Sequence, residues 1–303
     1  MVGIRLALYA VLGGLFGLSA FSLYGLRAGE RFGALALRPW LVAGAIVGLL
    51  LSMVALALLA AAMTGTTPWA ADHDAIGMIL DQPGLGTAWK VRMGALAVVA
   101  VTALFAAGRG LLLSVATLAS SVALATLAWT GHGAMDEGMT GWVHLTADIL
   151  HLIAAGAWTG ALLGLLLLVT RPKRRLDAVH LALTHRALHG FGTVGTIVVA
   201  TLIVTGIVNA WLLVGPSNIA ALVTTLYGQL LLAKLALFGA MLGLAALNRF
   251  RLTPRFEASI AAADDRGAIG VLRRSLAIET ACNVIILGLV AWLGTLEPPA
   301  AAM

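Results

Sequence analysis

The stretch GWVHLTADILHLIAAGAWTGALLGLLLLVT, residues 141–170, decides how the whole chain is read. It is a continuous apolar run, and a bilayer core of roughly 30 Å asks about 20 such residues of a helix. Its polar side chains are ordered. His144, Asp148 and His151 stand at i, i+4 and i+7, the spacing of one helical face and not the alternation of a strand. Trp158 continues that stripe, while Gly156, Gly160 and Gly164, four apart, offer a face on which another helix can approach closely. At the helical rise, Asp148 lies roughly 9 Å and His151 roughly 14 Å below the outer end near Trp142. An ionisable group at that depth is costly unless paired, hydrated or bound to an ion, which makes this face a candidate site.

Working outward, the same kind of run recurs along the chain. Of 303 residues, 61% are hydrophobic and 11% charged, and the mean hydropathy is +1.00, far from a soluble globular domain. Lipid is the expected solvent. Apolar runs fall at roughly 5–26, 39–63, 88–107, 110–131, 142–170, 189–213, 225–248 and 276–296, giving eight predicted spans. The predicted fold is therefore all-α, a polytopic bundle forming one transmembrane domain over residues 1–303, since backbone groups in hydrocarbon must bond within helices or a closed barrel. Continuous runs argue against the barrel. The first run follows Arg5 like a signal peptide, but it is long and no small-residue cleavage pattern closes it, so it is read as a span.

The net charge of +6 reports topology and not a nucleic-acid partner, because the basic residues sit in the connections. Fifteen of them, including Arg27, Arg31, Arg109, Arg171, Lys173 to Arg175, Arg249, Arg251, Arg273 and Arg274, fall in alternate connections, against three, Arg5, Lys90 and Arg92, on the other side. That asymmetry places the basic connections in the cytoplasm and both termini on the periplasmic side. The lone Cys282 excludes an internal disulfide or a thiolate cluster. There is no phosphate-binding glycine loop, no phosphorylation sequence and no Cys-Pro metal gate, so the chain is read as a carrier or binder and not as an enzyme.

The outer connections hold soft and acidic donors. One carries Trp69, Asp72, His73, Asp74, Met78 and Asp81; another carries His132, Met135, Asp136, Glu137 and Met139. The run His132, Met135, Met139, His144 brings two imidazoles and two thioethers together, a donor set suited to copper, particularly Cu(I). His73 is an optional further ligand; the alternative is a solvated acidic loop. Lys234, about nine residues into the seventh span, is at a depth to form an ion pair with Asp148, leaving His151 free to ligate. His180, His185 and His189 are read as structural groups in or beside the basic connection after Arg171. Glu279 is expected to clamp to Arg249, Arg273 or Arg274.

Several of these stretches resemble the CopD family of bacterial copper resistance membrane proteins: Thr130-Gly-His-Gly-Ala, His144 to His151 running into Ala157-Trp-Thr-Gly, Gln229-Leu-Leu-Leu-Ala-Lys-Leu-Ala-Leu leading to Leu247-Asn-Arg-Phe, and Arg274-Ser-Leu-Ala-Ile-Glu leading to Leu293-Gly-Thr-Leu-Glu-Pro. The resemblance implies an eight-span domain of the inner membrane with copper as its cargo, handled at His132, His144 and His151 with Asp148 behind them. It also implies a separate periplasmic copper-binding protein of the CopC kind as a partner beside membrane lipid. Two other readings stay open from the residues: a b-type cytochrome passing electrons through a haem held by His132 and His151, and a bundle that only scaffolds a complex.

Overall fold

The computed structural model describes residues 1–67, 73–105, 110–131, 138–171, 178–261 and 266–302. Among them there is no strand, and eight helices are long and apolar enough to cross a membrane. We number them α1 (Val2–Gly25), α2 (Leu37–Thr64), α3 (Leu85–Phe105), α4 (Gly110–Ala125), α5 (Gly138–Val169), α6 (Ala178–Leu213), α7 (Leu226–Leu247) and α8 (Arg266–Leu293). A 3-10 turn, Thr126–Thr130, continues α4, and α7 runs through a π-helical turn, Asn248–Leu252, into a short helix, Thr253–Ala261.

Helices α1 and α5 form the centre. Their side chains supply about a third of the largest buried cluster, with Leu12, Leu15, Leu18 and Phe21 of α1 and Trp158, Leu162 and Leu165 of α5 among them. Glycine makes that contact possible. A Cβ on Gly17 would stand 1.9 Å from the carbonyl oxygen of Gly156, and one on Gly160 would stand 1.9 Å from the carbonyl carbon of Gly17. The close approach expected of the Gly156, Gly160, Gly164 stripe is thus made by the first span. On one side α2, α3 and α4 pack in sequence around α1; on the other, α6 packs on α5, and α8 packs on α1, α5 and α7. Helices α6 and α7 barely touch, so a gap bounded by α5 and α8 lies between them. Large apolar side chains such as Leu111, Leu118, Ile197 and Val204 are exposed on the outside of the bundle, as a lipid-facing surface requires.

The span positions agree with the hydropathy reading except at two helices. The sixth begins at Ala178 and the eighth at Arg266, each ten or so residues before its apolar run. The extensions carry basic and polar residues that a hydropathy window discards but that a helix emerging from the bilayer tolerates. His180 and His185 consequently lie on α6 and not in a loop: His180 Nε2 bonds the Leu168 carbonyl at 2.9 Å, and His185 pairs with Glu257 at 3.6 Å. A second correction concerns Arg92. It sits inside α3, 3% exposed, and donates from Nε to Thr126 Oγ1 at 2.8 Å and from Nη2 to the Thr126 carbonyl at 3.2 Å. It is a clamp on the end of α4 and not a flanking charge.

Candidate functional site

The gap between α6 and α7 opens into a cavity of about 520 Å³. Its walls are mostly apolar, from Leu202, Phe238, Ile286 and their neighbours, with polar groups converging from five helices. Helix α1 contributes Arg5 and Tyr9, α5 His144, Asp148 and His151, α6 Asn209, α7 Tyr227 and Lys234, and α8 Asn283. The stripe read from the sequence therefore faces one chamber. Trp158, 2% exposed, lines it further along the same helix and stacks edge-on against Phe191 at 5.5 Å.

The orientation of His151 follows from its neighbour. His151 Nδ1 lies 2.9 Å from Thr205 Oγ1, and that hydroxyl lies 2.6 Å from the Thr201 carbonyl. A threonine hydroxyl has one proton. With that proton given to the carbonyl, Thr205 accepts from His151 Nδ1–H, which leaves the Nε2 lone pair as the donor atom of a neutral imidazole.

Asp148 is held by another α6 residue: Asn209 Nδ2 donates to Asp148 Oδ1 at 2.6 Å. The other carboxylate oxygen faces the end of α4, where a Cβ on Gly131 would come within 3.8 Å of it. Lys234 and Tyr227 line the same cavity. Arg5 reaches across the mouth, donating to the Gly294 carbonyl and, at 3.1 Å, to the Thr130 carbonyl. Two atoms on the cavity wall, Asn209 Oδ1 and Trp158 Nε1, are buried without a hydrogen-bond partner among the described residues. Polar capacity is available to a ligand there.

The other candidates lie elsewhere. His132 and Met135 fall outside the described residues. Met139 is 79% exposed in the first turn of α5 and does not line the cavity. His73 opens a short helix, His73–Asp81, and lines a separate open depression with Asp74, Met78 and Asp81. Among the described residues no three His, Cys, Asp or Glu side chains converge closely enough to hold a metal ion by themselves. Glu279 differs from expectation. It is 1% exposed, it accepts from the Asn248 amide, and among the described residues none of the three arginines reaches it. Arg249 instead donates to Thr196 at 2.6 Å, and Arg273 and Arg274 are exposed.

Sequence reasoning missed Arg5, Thr205, Asn209, Asn283 and Met241, a buried methionine that also lines the cavity. A signal for Asn209 and Thr205 was present: both are polar, lie in one span and stand four residues apart, hence on one face.

Comparison with known proteins gives two family profiles on this chain, "Copper resistance protein D-like, N-terminal domain" over residues 1–142 and "Copper resistance protein D" over residues 185–293. Copper resistance protein D of Pseudomonas syringae pv. tomato is 45% identical over 300 residues, covering 98% of this chain and 96% of its own. Inner membrane protein YebZ of Escherichia coli is 35% identical over 57% of this chain and 55% of its own. Copper transport protein CutJ of Bacillus subtilis is 33% identical over 42% of this chain and 22% of its own. No solved structure matches the chain.

Proposed function

Because the chain belongs to the copper resistance protein D family, we propose that it handles copper at the bacterial inner membrane, taking the ion from the periplasmic side into or across the bilayer through the cavity between α6 and α7. The observation that supports this most is the His151 ring, anchored by Thr205 with Nε2 left as a donor beside Asp148. An imidazole fixed through its other nitrogen is the usual form of a metal-ligating histidine. His132, His144 and His151 are the proposed donors, with Asp148 balancing charge from behind them and paired in that role with Lys234. Met135, Met139 and His73 would collect the ion outside. Met241 adds a buried thioether to the chamber, a donor that favours Cu(I) over hard cations.

Among the described residues the converging donors do not complete a metal site, which suits passage, because a conducting site must bind well enough to admit an ion and weakly enough to release it. The excess of basic residues in alternate connections supports termini on the periplasmic side. On that side the acidic depression of His73, Asp74 and Asp81 offers a place for a small copper-binding protein of the CopC kind to dock and deliver. No observation favours the haem reading: His144 and His151 are the cavity's only histidines among the described residues, and both lie on α5.

The test is a Cu(I) titration of detergent-purified protein under reducing conditions, followed by elemental analysis and an absorption spectrum. Stoichiometric copper that is lost in His151→Ala, with no Soret band, is the expected result. Unchanged copper content in that variant would overturn the assignment, and a stoichiometric Soret band would replace it with electron transfer.

A further inference from the structure

Below the cavity, on the side of the bundle away from the termini, α8 presents a second polar row. Ser275, Glu279 and Asn283 are four residues apart, so they lie one above another on one face over roughly 12 Å. All three are buried, at 7%, 1% and 7% exposure. Asn283, the outermost, lines the cavity and donates to Thr159 of α5 at 3.1 Å. Glu279, one turn further in, faces Asn248 of α7, whose amide nitrogen donates to the carboxylate.

The accounting at Glu279 is one-sided. Among the described residues it has one amide donor and no cation, and two nearby oxygens have no partner: Asn248 Oδ1, at the other end of the same amide, and Ser275 Oγ, one turn away on α8. Asn248 also opens the π-helical turn Asn248–Leu252, a distortion of the helix that recurs at functional sites. The charged groups on the elements packed here do not compensate the carboxylate. Helix α1 carries Tyr24 and α5 carries Thr159, neither of them a cation, and the segment after α7 carries Arg249, Arg251, Arg255 and Glu257, all exposed, as are Arg273 and Arg274 of α8 itself. A carboxylate with a single amide donor, inside a bundle in lipid, lacks one positive charge.

We propose that Glu279, Asn248 and Ser275 form a site for a single monovalent positive charge, a proton or a sodium ion, one turn from the inner end of the cavity. Either occupant supplies the same thing. A proton on Glu279 donates to one of the unpartnered oxygens, and a sodium ion is coordinated by them together with the carboxylate; sodium, a hard cation, suits an all-oxygen set that a soft metal does not. The site does not depend on what the cavity carries.

The experiment uses the full chain in lipid nanodiscs without copper, so a failure of the copper reading leaves it unaffected. Thermal unfolding is compared in sodium chloride and in N-methylglucamine chloride at equal ionic strength, and infrared spectra are taken of the wild type and Glu279→Gln. A sodium-dependent rise in Tm that disappears in Glu279→Gln identifies sodium. No sodium effect, with a protonated-carboxyl C=O band present in the wild type and missing from Glu279→Gln, identifies the proton. If that variant does not fold, Ser275→Ala removes one oxygen and keeps the acid; it then weakens the sodium response or shifts the band. An unchanged band together with an unchanged sodium response in Ser275→Ala, or neither signal in the wild type, overturns the proposal.

Discussion

Thr205→Val tests the reasoning about His151 without touching a proposed donor atom. Valine keeps the shape of threonine and removes the acceptor that lies 2.9 Å from His151 Nδ1. The ring N–H is then left in a site where burial of an unsatisfied donor costs about 1–3 kcal/mol. It recovers that energy by turning or by moving its proton to Nε2, and either response removes the lone pair from the cavity. Loss of such an anchoring bond lowers metal affinity about 10- to 100-fold, or about 1.4–2.7 kcal/mol. The assay is competition for Cu(I) against a chelator of known affinity, with Thr205→Ser as the control that restores the hydroxyl. Valine and serine variants that bind equally well would refute the argument, because the hydroxyl would then have no part in setting the donor.

Gly160→Ala places a methyl group 1.9 Å from the Gly17 carbonyl carbon and 2.2 Å from the Leu18 nitrogen; overpacking of this kind costs about 1–3 kcal/mol, so Tm should fall well below that of Gly94→Ala, where nothing stands within 4 Å. Equal midpoints for the two variants would show that α1 and α5 do not pack as described. Arg92→Met removes both bonds to Thr126 and strands a buried carbonyl, which should lower stability by about 1–3 kcal/mol and raise hydrogen exchange in residues 126–131; unchanged exchange there would remove the clamp. Lys234→Met should tighten Cu(I) binding, because Lys234 lines the same cavity as His151 and a like charge there repels an incoming cation. Weaker binding in that variant would mean instead that Lys234 is needed to hold Asp148 in place.

The architecture was legible because lipid imposes a length and a polarity on every span, so eight apolar runs translate directly into eight helices. The helical face of His144, Asp148 and His151 was legible for the same kind of reason, periodicity being a local property. Partners were not. Depth in the bilayer matches Glu279 with arginines, whereas the end of α7 offers it a buried asparagine, and the arginines can reach water more cheaply than they can neutralise it. Asp148 also accepts from Asn209, a residue that carries no charge and so leaves no trace in a charge count. Met241 and Trp158 look like any apolar filler until the gap between α6 and α7 shows which of them borders open space.

The polar groups inside the bundle divide into two kinds, and the division bears on whether the chain only scaffolds a complex. Arg92 and Arg5 are directed at carbonyl and hydroxyl oxygens at the termini end of α4 and α8; they join helix ends and need nothing further. Asp148, His151, Asn209 and Lys234 instead line, from three helices, the cavity where α6 and α7 barely pack, and there a leucine at each position would close the chamber and stabilise the fold. A scaffold gains nothing by leaving that face open and polar. The face is intelligible if the polar capacity left on it among the described residues, at Asn209 Oδ1 and Trp158 Nε1, is the property selected, since a chamber whose groups were all satisfied by one another would have no affinity left for an ion passing through it.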